Sequence, residues 1–239
     1  MSELSGKVAL VTGVSGAGQV GMAVAEAFAN NGARLAIAAR NRDKIEGRAR
    51  ELGAGGVRVL SIAADLTDER QADDAIERTV REYGRLDVLV NLAGGLTRYK
   101  PAVEHTTGDW RQEIDNNLLS AFLCSRAAFG PMRESGGGSI INFARAGQPQ
   151  ANMVAYNCAK AGIEALTRTL ALEGRDARIR VNAVAPGLVD TQSNIEAMRP
   201  KDLSHWTRRE DIARVTLFLA SDASAGVTGE VLAVTGWGI

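Results

Sequence analysis

A tyrosine and a lysine spaced four residues apart, Tyr156 and Lys160, are the side chains in this sequence whose types and spacing best suit chemistry. On a helix this spacing places both side chains on one face. A tyrosine ionises near pH ~10, which is too high for a base at neutral pH. A nearby ammonium stabilises the phenolate and lowers that value. The pair therefore has the form of an acid/base site.

A second chemical feature is the glycine-rich segment Thr12–Gly21, "TGVSGAGQVG", which follows an apolar run and precedes an amphipathic one. Small residues let a dinucleotide pyrophosphate approach the backbone closely. The start of the following helix supplies free N–H groups and the positive end of its dipole. The segment therefore predicts a dinucleotide site at the start of the first helix.

The elements that must position these residues alternate along the chain, because short apolar runs are separated by helical patterns. The predicted strands are Val8–Thr12, Arg34–Ala39, Val57–Ile62, Val88–Asn91, Ser139–Phe143, Arg180–Ala185 and Val231–Val234. The predicted helices are Gly21–Asn31, Arg42–Leu52, Glu69–Tyr83, Asp109–Arg133, Met153–Gly174 and Arg209–Ala220. Strands that are apolar throughout indicate burial on both faces. We therefore expect an α/β fold with one doubly wound parallel sheet of about seven strands and helices on both faces.

Length and composition bound the function. The chain has 239 residues and no recognisable linker or repeat, so we expect a single domain over residues 1–239. Its 28 basic and 28 acidic residues cancel, which argues against a nucleic-acid or anionic-membrane partner. Its two cysteines, Cys124 and Cys158, give no disulfide framework and no metal-ligand spacing. With no signal peptide or membrane span in the sequence, the expected location is the cytoplasm.

Several ordered motifs make the chain resemble the short-chain dehydrogenase/reductases over essentially its whole length. Besides the glycine-rich segment, they are "DLTD" (Asp65–Asp68), "NLAGG" (Asn91–Gly95), "NNLLSAF" (Asn116–Phe122), "YNCAK" (Tyr156–Lys160) and "VNAVAPGLVDT" (Val181–Thr191). The resemblance implies a Rossmann-type sheet, a nicotinamide cofactor and hydride transfer to or from a carbonyl carbon. It also implies a homodimer or homotetramer, and the long predicted helices Asp109–Arg133 and Met153–Gly174 are apolar on more than one face, as subunit contacts require.

The resemblance also implies which residues hold the cofactor. They are Gly13, Ser15, Gln19, Val20, Arg40, Asp65, Leu66, Asn91, Ala93, Gly94, Tyr156, Lys160, Pro186, Gly187, Val189 and Thr191. The glycine loop departs from the family pattern: it is two residues longer, and Gln19 stands where a glycine is usual. Gln19 is therefore a candidate to hydrogen-bond a phosphate. This loop length is similar to that of the enoyl-reductase branch.

The type of nicotinamide cofactor is predicted from the end of the second strand. An acidic residue there accepts the ribose hydroxyls of NAD and repels the 2′-phosphate of NADP. This chain has Ala39 and Arg40, with Arg42 beyond, and a guanidinium suits a phosphate monoester. NADP(H) is favoured and NAD(H) stays open.

By resemblance, Tyr156 exchanges the proton of the substrate oxygen, and Lys160 also holds the nicotinamide ribose. Asn117 corresponds to the asparagine that kinks its helix and orders a water in the proton relay. Asn116, one residue away, is the alternative alignment. Catalytic roles are therefore expected for Tyr156, Lys160 and Asn117.

The family's serine, which hydrogen-bonds the reacting carbonyl, has no counterpart. No serine or threonine lies between Ser139 and Tyr156, and the serine's place falls on Ala144 or Arg145. Losing such a donor typically costs ~10²–10³ in rate. Three interpretations stay open: Arg145 supplies a charged donor, Gln148 or Asn152 reaches in from the loop, or the carbonyl chemistry is weakened.

The leading hypothesis is an NADP(H)-dependent oxidoreductase that acts on a ketone or secondary alcohol, for example a 3-oxoacyl-carrier type of substrate. A cofactor-binding module with a regulatory role is the alternative suggested by the missing serine. Enoyl reduction is suggested by the loop length, but the four-residue spacing of Tyr156 and Lys160 counts against it.

Overall fold

The structure is a computed structural model that describes residues 3–56 and 58–237. Seven strands form its sheet: β1 Val8–Thr12, β2 Arg34–Ala39, β3 Val59–Ala63, β4 Val88–Asn91, β5 Gly138–Phe143, β6 Ile179–Pro186 and β7 Val231–Val234. All six pairings are parallel, in the order β3-β2-β1-β4-β5-β6-β7. The order reverses between β1 and β4, where a crevice opens at the carboxyl ends of the strands.

Eight α-helices lie in the described parts of the chain. They are α1 Val20–Asn30, α2 Arg42–Leu52, α3 Glu69–Tyr83, α4 Thr107–Ile114, α5 Ser120–Glu134, α6 Val154–Glu173, α7 Gln192–Met198 and α8 Arg209–Ala220. One hydrophobic cluster joins α1, α2 and α8 to the sheet, and a second joins α3, α5 and α6 to it. Helices therefore cover both faces of the sheet, which confirms the predicted doubly wound α/β fold.

The central strands are buried because they are apolar on both sides. Every residue of β1 and β4 is buried. Strands of this kind give no alternation of polar and apolar residues, and helices on both faces complete their burial. The predicted strand Val57–Ile62 corresponds to β3, although Val57 itself lies outside the described residues.

The predicted single helix Asp109–Arg133 is wrong. A π-helical turn, Asp115–Leu119, separates α4 from α5. The Asn117 side chain donates from Nδ2 to the Glu113 carbonyl oxygen at 3.0 Å, which is the acceptor that an uninterrupted α-helix gives to the backbone N–H of residue 117. The Asn117 side chain thus occupies the backbone acceptor at the point where the regular helix is interrupted.

At the amino edge of the sheet, a buried carboxylate ties two central strands together. Asp87, just before β4, accepts a hydrogen bond from the Val8 N–H at 2.9 Å, and the Arg85 guanidinium donates to both of its oxygens.

Within the ranges described, no helix combines the length and apolar composition needed to cross a membrane.

Candidate active site

The β1 and β4 loops meet closely at the carboxyl edge. The Thr12 hydroxyl accepts hydrogen bonds from the N–H groups of Leu92 and Ala93 at 2.9 and 3.0 Å. Gly13 has a φ of 78°, and a Cβ built on it would lie 2.9 Å from the Ala93 nitrogen. A side chain at Gly13 would therefore separate the two loops, so glycine is required there.

The glycine loop leads directly into α1. A Cβ on Gly21 would lie 2.7 Å from the Gly13 carbonyl oxygen, so α1 can begin against the end of β1 only with glycine at this position. Gln19 occupies the N-cap of α1, and its side chain makes no capping hydrogen bond. The first N–H groups of α1 therefore lack a side-chain acceptor at the N-cap, as an anion-binding helix start requires.

Gln19 instead connects the loop to α7. Its Oε1 accepts a hydrogen bond from the Ser193 hydroxyl at 3.2 Å, and the Gln192 N–H donates to the Gly18 carbonyl oxygen at 2.8 Å. Ser15 is exposed and Val20 is half-buried. The glycine loop and the start of α7 thus form one hydrogen-bonded unit.

The residues after β2 leave one guanidinium without a partner. Asn41 caps α2 by accepting from the Lys44 N–H at 2.9 Å, and Arg42 lies 3.9 Å from Glu46. Arg40 is exposed and forms no ion pair with any residue in the described ranges. Its charge is available to a ligand at the end of β2.

Three other predicted cofactor residues are buried or hydrogen-bonded within the protein. Asp65 accepts from the N–H and hydroxyl of Thr67 at 3.1 and 2.8 Å, which fixes the turn after β3, and Leu66 is buried. The Asn91 amide donates inward to Asn142 Oδ1 at 2.9 Å. For Asp65, Leu66 and Asn91, contact with a cofactor stays a prediction.

The chain after β6 forms a turn at the carboxyl edge of the sheet. The Pro186 carbonyl oxygen accepts from the Ala146 N–H at 3.0 Å, and the Gly187 N–H donates to the Val234 carbonyl oxygen at 2.9 Å. Thr191 caps α7 through its hydroxyl, and the Val189 carbonyl oxygen accepts from Asn194 Nδ2. The predicted roles of these residues toward a cofactor stay predictions.

The acid/base pair lies on the first turns of α6. Lys160 is buried, and its ammonium donates to the Phe143 carbonyl oxygen at 2.7 Å. The same ammonium lies 5.7 Å from the centroid of the Tyr156 ring. Lys160 therefore bridges the end of β5 and the tyrosine, which places both residues of the pair at the carboxyl edge.

The charge that lowers the pKa of Tyr156 is not the Lys160 ammonium expected from the sequence. Burial raises the pKa of Tyr156, and the positive charge that opposes this rise is Arg145. The Glu113 carboxylate raises the pKa of Tyr156 further. Burial also lowers the pKa of Lys160 to about 8, against an opposing effect of Glu113.

Arg145 lies at the end of β5, two residues beyond the acceptor of Lys160. Its Nη1 donates to the Gln148 carbonyl oxygen at 2.8 Å, which turns the guanidinium into the loop between β5 and α6. The neighbouring Ala144 is buried. Asn152 has a φ of 66°, and its carbonyl oxygen accepts from the Lys100 N–H at 3.0 Å. Of the three tentative substrate residues, Arg145 is the one whose charge reaches Tyr156.

Asn117 holds the π-helical turn against the β4 loop. Its Oδ1 accepts from the Gly95 N–H at 2.8 Å, and its Nδ2 donates to the Gly95 carbonyl oxygen at 3.1 Å. A Cβ on Gly94 would lie 2.6 Å from Asn117 Oδ1, so this contact also requires glycine. Within the described residues, the hydrogen bonds of the Asn117 side chain go to Gly95 and Glu113.

Glu113 is a site residue that the sequence reasoning missed. It is 0% exposed, and its Oε1 accepts from the Thr97 N–H, the Thr97 hydroxyl and the Arg98 N–H at 2.6, 2.6 and 2.7 Å. Its Oε2 accepts from Asn117 Nδ2 at 3.2 Å. The available signal was the spacing: Glu113 lies four residues before Asn117, which is one helical turn on the same face.

Arg209, at the start of α8, was also missed. Its Nη1 lies 3.2 Å from the position of a Cβ on Gly18, and its Nε lies 3.3 Å from Asp190 Oδ1. A positive charge therefore lies beside the glycine loop. Nothing local in the sequence indicates this contact, because α8 is about 190 residues away from the loop along the chain.

Comparison with known proteins agrees with this geometry. A family model described as "Enoyl-(Acyl carrier protein) reductase" matches residues 13–236. The chain is 38% identical to a (2S)-[(R)-hydroxy(phenyl)methyl]succinyl-CoA dehydrogenase subunit of Thauera aromatica, over 98% of this chain and 96% of that protein. It is 36% identical to cis-4-hydroxycyclohexanecarboxylate dehydrogenase of Sinomonas cyclohexanicum, over 96% of this chain and 95% of that protein.

The chain belongs to the short-chain dehydrogenase/reductase family. Among solved structures, carveol dehydrogenase of Mycobacterium avium in complex with NAD superposes with a TM-score of 0.91 at 27% identity, covering 99% of each chain. The members of this family are oxidoreductases that use a nicotinamide cofactor. This membership confirms the resemblance on which the site residues were predicted, while the role of each residue stays a prediction.

Proposed function

We propose that the protein transfers a hydride between NADP(H) and the carbonyl carbon of a ketone or, in the reverse direction, the carbinol carbon of a secondary alcohol. The observation that carries this proposal is the position of Tyr156 and Lys160 together at the carboxyl edge, where Lys160 Nζ bonds the end of β5. The relatives whose names specify dehydrogenation of hydroxy compounds support the same reaction class.

The residues present fit a nicotinamide dinucleotide. The Gly13 and Gly21 positions have no room for a Cβ, α1 begins without a side-chain cap, and Arg209 lies beside Gly18. Together these features give the pyrophosphate a close backbone approach and positive charge. When bound, the cofactor supplies or accepts the hydride.

Selectivity for NADP(H) is proposed from Arg40. An exposed guanidinium without a carboxylate partner in the described ranges, after a strand that ends in Ala39, is suited to a phosphate monoester. We expect Arg40→Ser to weaken NADPH binding about tenfold or more and to leave NADH binding nearly unchanged. Fluorescence titration with each cofactor measures both affinities. Equal weakening for the two cofactors would contradict the assignment.

In the proposed mechanism, Tyr156 donates a proton to the substrate oxygen during reduction and accepts it during oxidation. Lys160, held by the Phe143 carbonyl, keeps a positive charge beside the tyrosine ring. Arg145 supplies the donor to the substrate oxygen that the family's serine would otherwise supply, and it favours the Tyr156 phenolate. This assigns Arg145 a role in place of a missing hydroxyl.

The direct test is Tyr156→Phe. We expect turnover of ketones to fall by about 10²–10⁴-fold, because the proton donor is lost. NADPH affinity, measured by fluorescence titration, should stay within about twofold, since the ring is kept. Turnover at the wild-type rate would refute the proposed chemistry.

Two alternatives have their own observations. Enoyl reduction is favoured by the description of the matching family model, and the four-residue Tyr156–Lys160 spacing opposes it. A cofactor-binding role without fast turnover is favoured by the absence of a hydroxyl between Ser139 and Tyr156. A panel of ketones and enoyl thioesters with saturating NADPH distinguishes the three functions. Carbonyl reduction predicts NADPH oxidation with ketones, enoyl reduction predicts it with enoyl thioesters, and a cofactor-binding role predicts it with neither.

A further inference from the structure

A groove of about 1020 Å³ lies at the amino edge of the sheet, opposite the carboxyl edge that holds Tyr156 and Lys160. It runs between the starts of β5 and β6, the carboxyl end of α6 and the segment before β1. Two carboxylates line it, Asp87 and Asp222, with six basic side chains: Lys7, Arg85, Arg168, Arg175, Arg178 and Arg180. The lining therefore carries an excess of four positive charges, although the net charge of the chain is zero.

Three of the six basic side chains are already paired. Lys7 pairs with Asp222, Arg85 with Asp87, and Arg168 with Glu164 outside the groove. The other three, Arg175, Arg178 and Arg180, have no carboxylate within ion-pair distance among the described residues. Three guanidiniums without a carboxylate partner therefore line the same concave surface.

The backbone fixes two of these arginines. Arg178 and Arg180 flank the buried Ile179 at the start of β6. The Arg178 carbonyl oxygen accepts from the Gly138 N–H at 3.2 Å, and Arg180 is in register with Ser139 of β5. The Arg180 guanidinium is also held, since it donates to Ser224 Oγ at 2.9 Å and to the Ser221 carbonyl oxygen at 3.2 Å. The Arg180 charge is therefore held at the groove before an anion binds.

We propose that this groove binds a small anion that carries two or more phosphoryl groups. Guanidinium groups match phosphate oxygens with paired, charge-assisted hydrogen bonds. The volume of the groove suits a small molecule. The zero net charge of the chain argues against a nucleic acid as the occupant. The proposal is independent of the reaction at the carboxyl edge.

The test is isothermal titration with inorganic triphosphate, with and without saturating NADPH. The test variant is Arg175→Ser combined with Arg178→Asn; asparagine is chosen because Arg178 has a φ of 55°, a region that asparagine tolerates. Neither side chain makes a hydrogen bond with a described residue, so an unchanged melting temperature shows that the variant folds. Arg214→Ser, which removes a surface arginine on α8 that pairs with Asp211, is the matched control. Arg40→Ser reports binding at the predicted cofactor site.

We expect triphosphate to bind the wild type and the Arg214→Ser and Arg40→Ser variants alike, whether NADPH is present or not. The Arg175→Ser/Arg178→Asn variant should bind about tenfold or more weakly. Citrate, titrated in parallel, should bind more weakly than triphosphate if phosphoryl groups are preferred. The proposal is overturned if the double variant binds like the wild type, if Arg40→Ser or NADPH alone removes binding, if citrate binds equally well, or if triphosphate does not bind.

Discussion

At the scale of single residues, the ionisation of Tyr156 depends on two opposite charges. Burial raises its pKa, Arg145 lowers it and Glu113 raises it. Arg145 comes from the loop after β5, whereas Glu113 comes from α4, so their substitution perturbs separate elements. The pKa of the proposed base can therefore be raised or lowered by changing one charge at a time.

Arg145→Ala should slow alcohol oxidation and move its acidic limb to higher pH. The oxidation needs the Tyr156 phenolate, so its rate rises as pH passes the pKa of Tyr156. Removing the charge that lowers this pKa moves that rise upward. The measurement is the pH profile of kcat/KM at saturating cofactor.

Arg145→Lys keeps the charge and is the control. The acidic limb of its pH profile should lie close to that of the wild type. Arg145→Ser separates the two interpretations of this position. A faster ketone reduction with serine would mean that Arg145 weakens the site and does not replace the hydroxyl. An unchanged limb in Arg145→Ala would contradict the influence of Arg145 on Tyr156.

Glu113→Gln should move the same acidic limb to lower pH. The carboxylate raises the pKa of Tyr156, so a neutral amide of the same shape removes that effect. It also removes the opposition to the burial effect on Lys160, whose pKa then falls further below about 8. The glutamine keeps an acceptor for the Thr97 and Arg98 N–H groups but loses the acceptor of Asn117 Nδ2. The melting temperature is therefore measured beside the pH profile, so that an effect of charge is separated from a change in the fold. A limb that moves upward would contradict this prediction.

At the scale of elements, a glycine in the loop after β4 and a glycine inside α2 should respond oppositely to alanine. Gly94 has a φ of 129°, and a Cβ there would lie 2.6 Å from Asn117 Oδ1, so Gly94→Ala should destabilise the protein by more than ~1 kcal/mol. Gly47 lies inside α2 with nothing within 4 Å of its Cβ position, so Gly47→Ala should stabilise by ~0.5–1 kcal/mol. Chemical denaturation of both variants measures the difference in the free energy of unfolding. Equal effects would contradict the close contact between Gly94 and Asn117.

The sequence predicts the strands well because they are apolar runs bounded by glycine, asparagine or charged residues. The ends of β1, β2, β4 and β7 match the prediction. β1 and β4 are buried on both faces, which leaves no ambiguity of pattern, whereas β7 is only partly buried and is predicted from its apolar residues alone. The π-helical turn could not be predicted in the same way. It depends on Asn117 reaching Gly95, a contact between elements that hydrophobic periodicity does not encode.

The candidate site, like the fold, is predictable from the sequence only in part. Tyr156 and Lys160 follow from local spacing on one helix. The influence of Arg145 on Tyr156 depends on how the loop between β5 and α6 folds back, and the influence of Glu113 depends on the position of α4 beside α6. Both are tertiary effects, so the sequence could name Arg145 as a candidate without showing what its charge does.

At the scale of the whole molecule, we propose a homodimer or homotetramer. Phe122 on α5 is a large apolar side chain that is 39% exposed. We expect light scattering after size exclusion to give two or four chain masses. Phe122→Glu should shift the population toward smaller species if α5 lies in a subunit contact, and Tyr99→Glu, at an exposed loop position, is the matched control. A single chain mass for the wild type would contradict the proposal.

The π-helical turn between α4 and α5 has a consequence for how this chain tolerates changes of length. A π turn holds one residue more than an α turn, so the two helices are out of phase by about 100°, the rotation per residue of an α-helix. Deletion of Asn116 would let α4 and α5 join as one regular helix. With α5 fixed in the core, α4 would rotate about its axis and carry Glu113 away from Thr97. The extra residue therefore acts as an angular spacer: it lets one face of the segment pack against the sheet while another face supports the site.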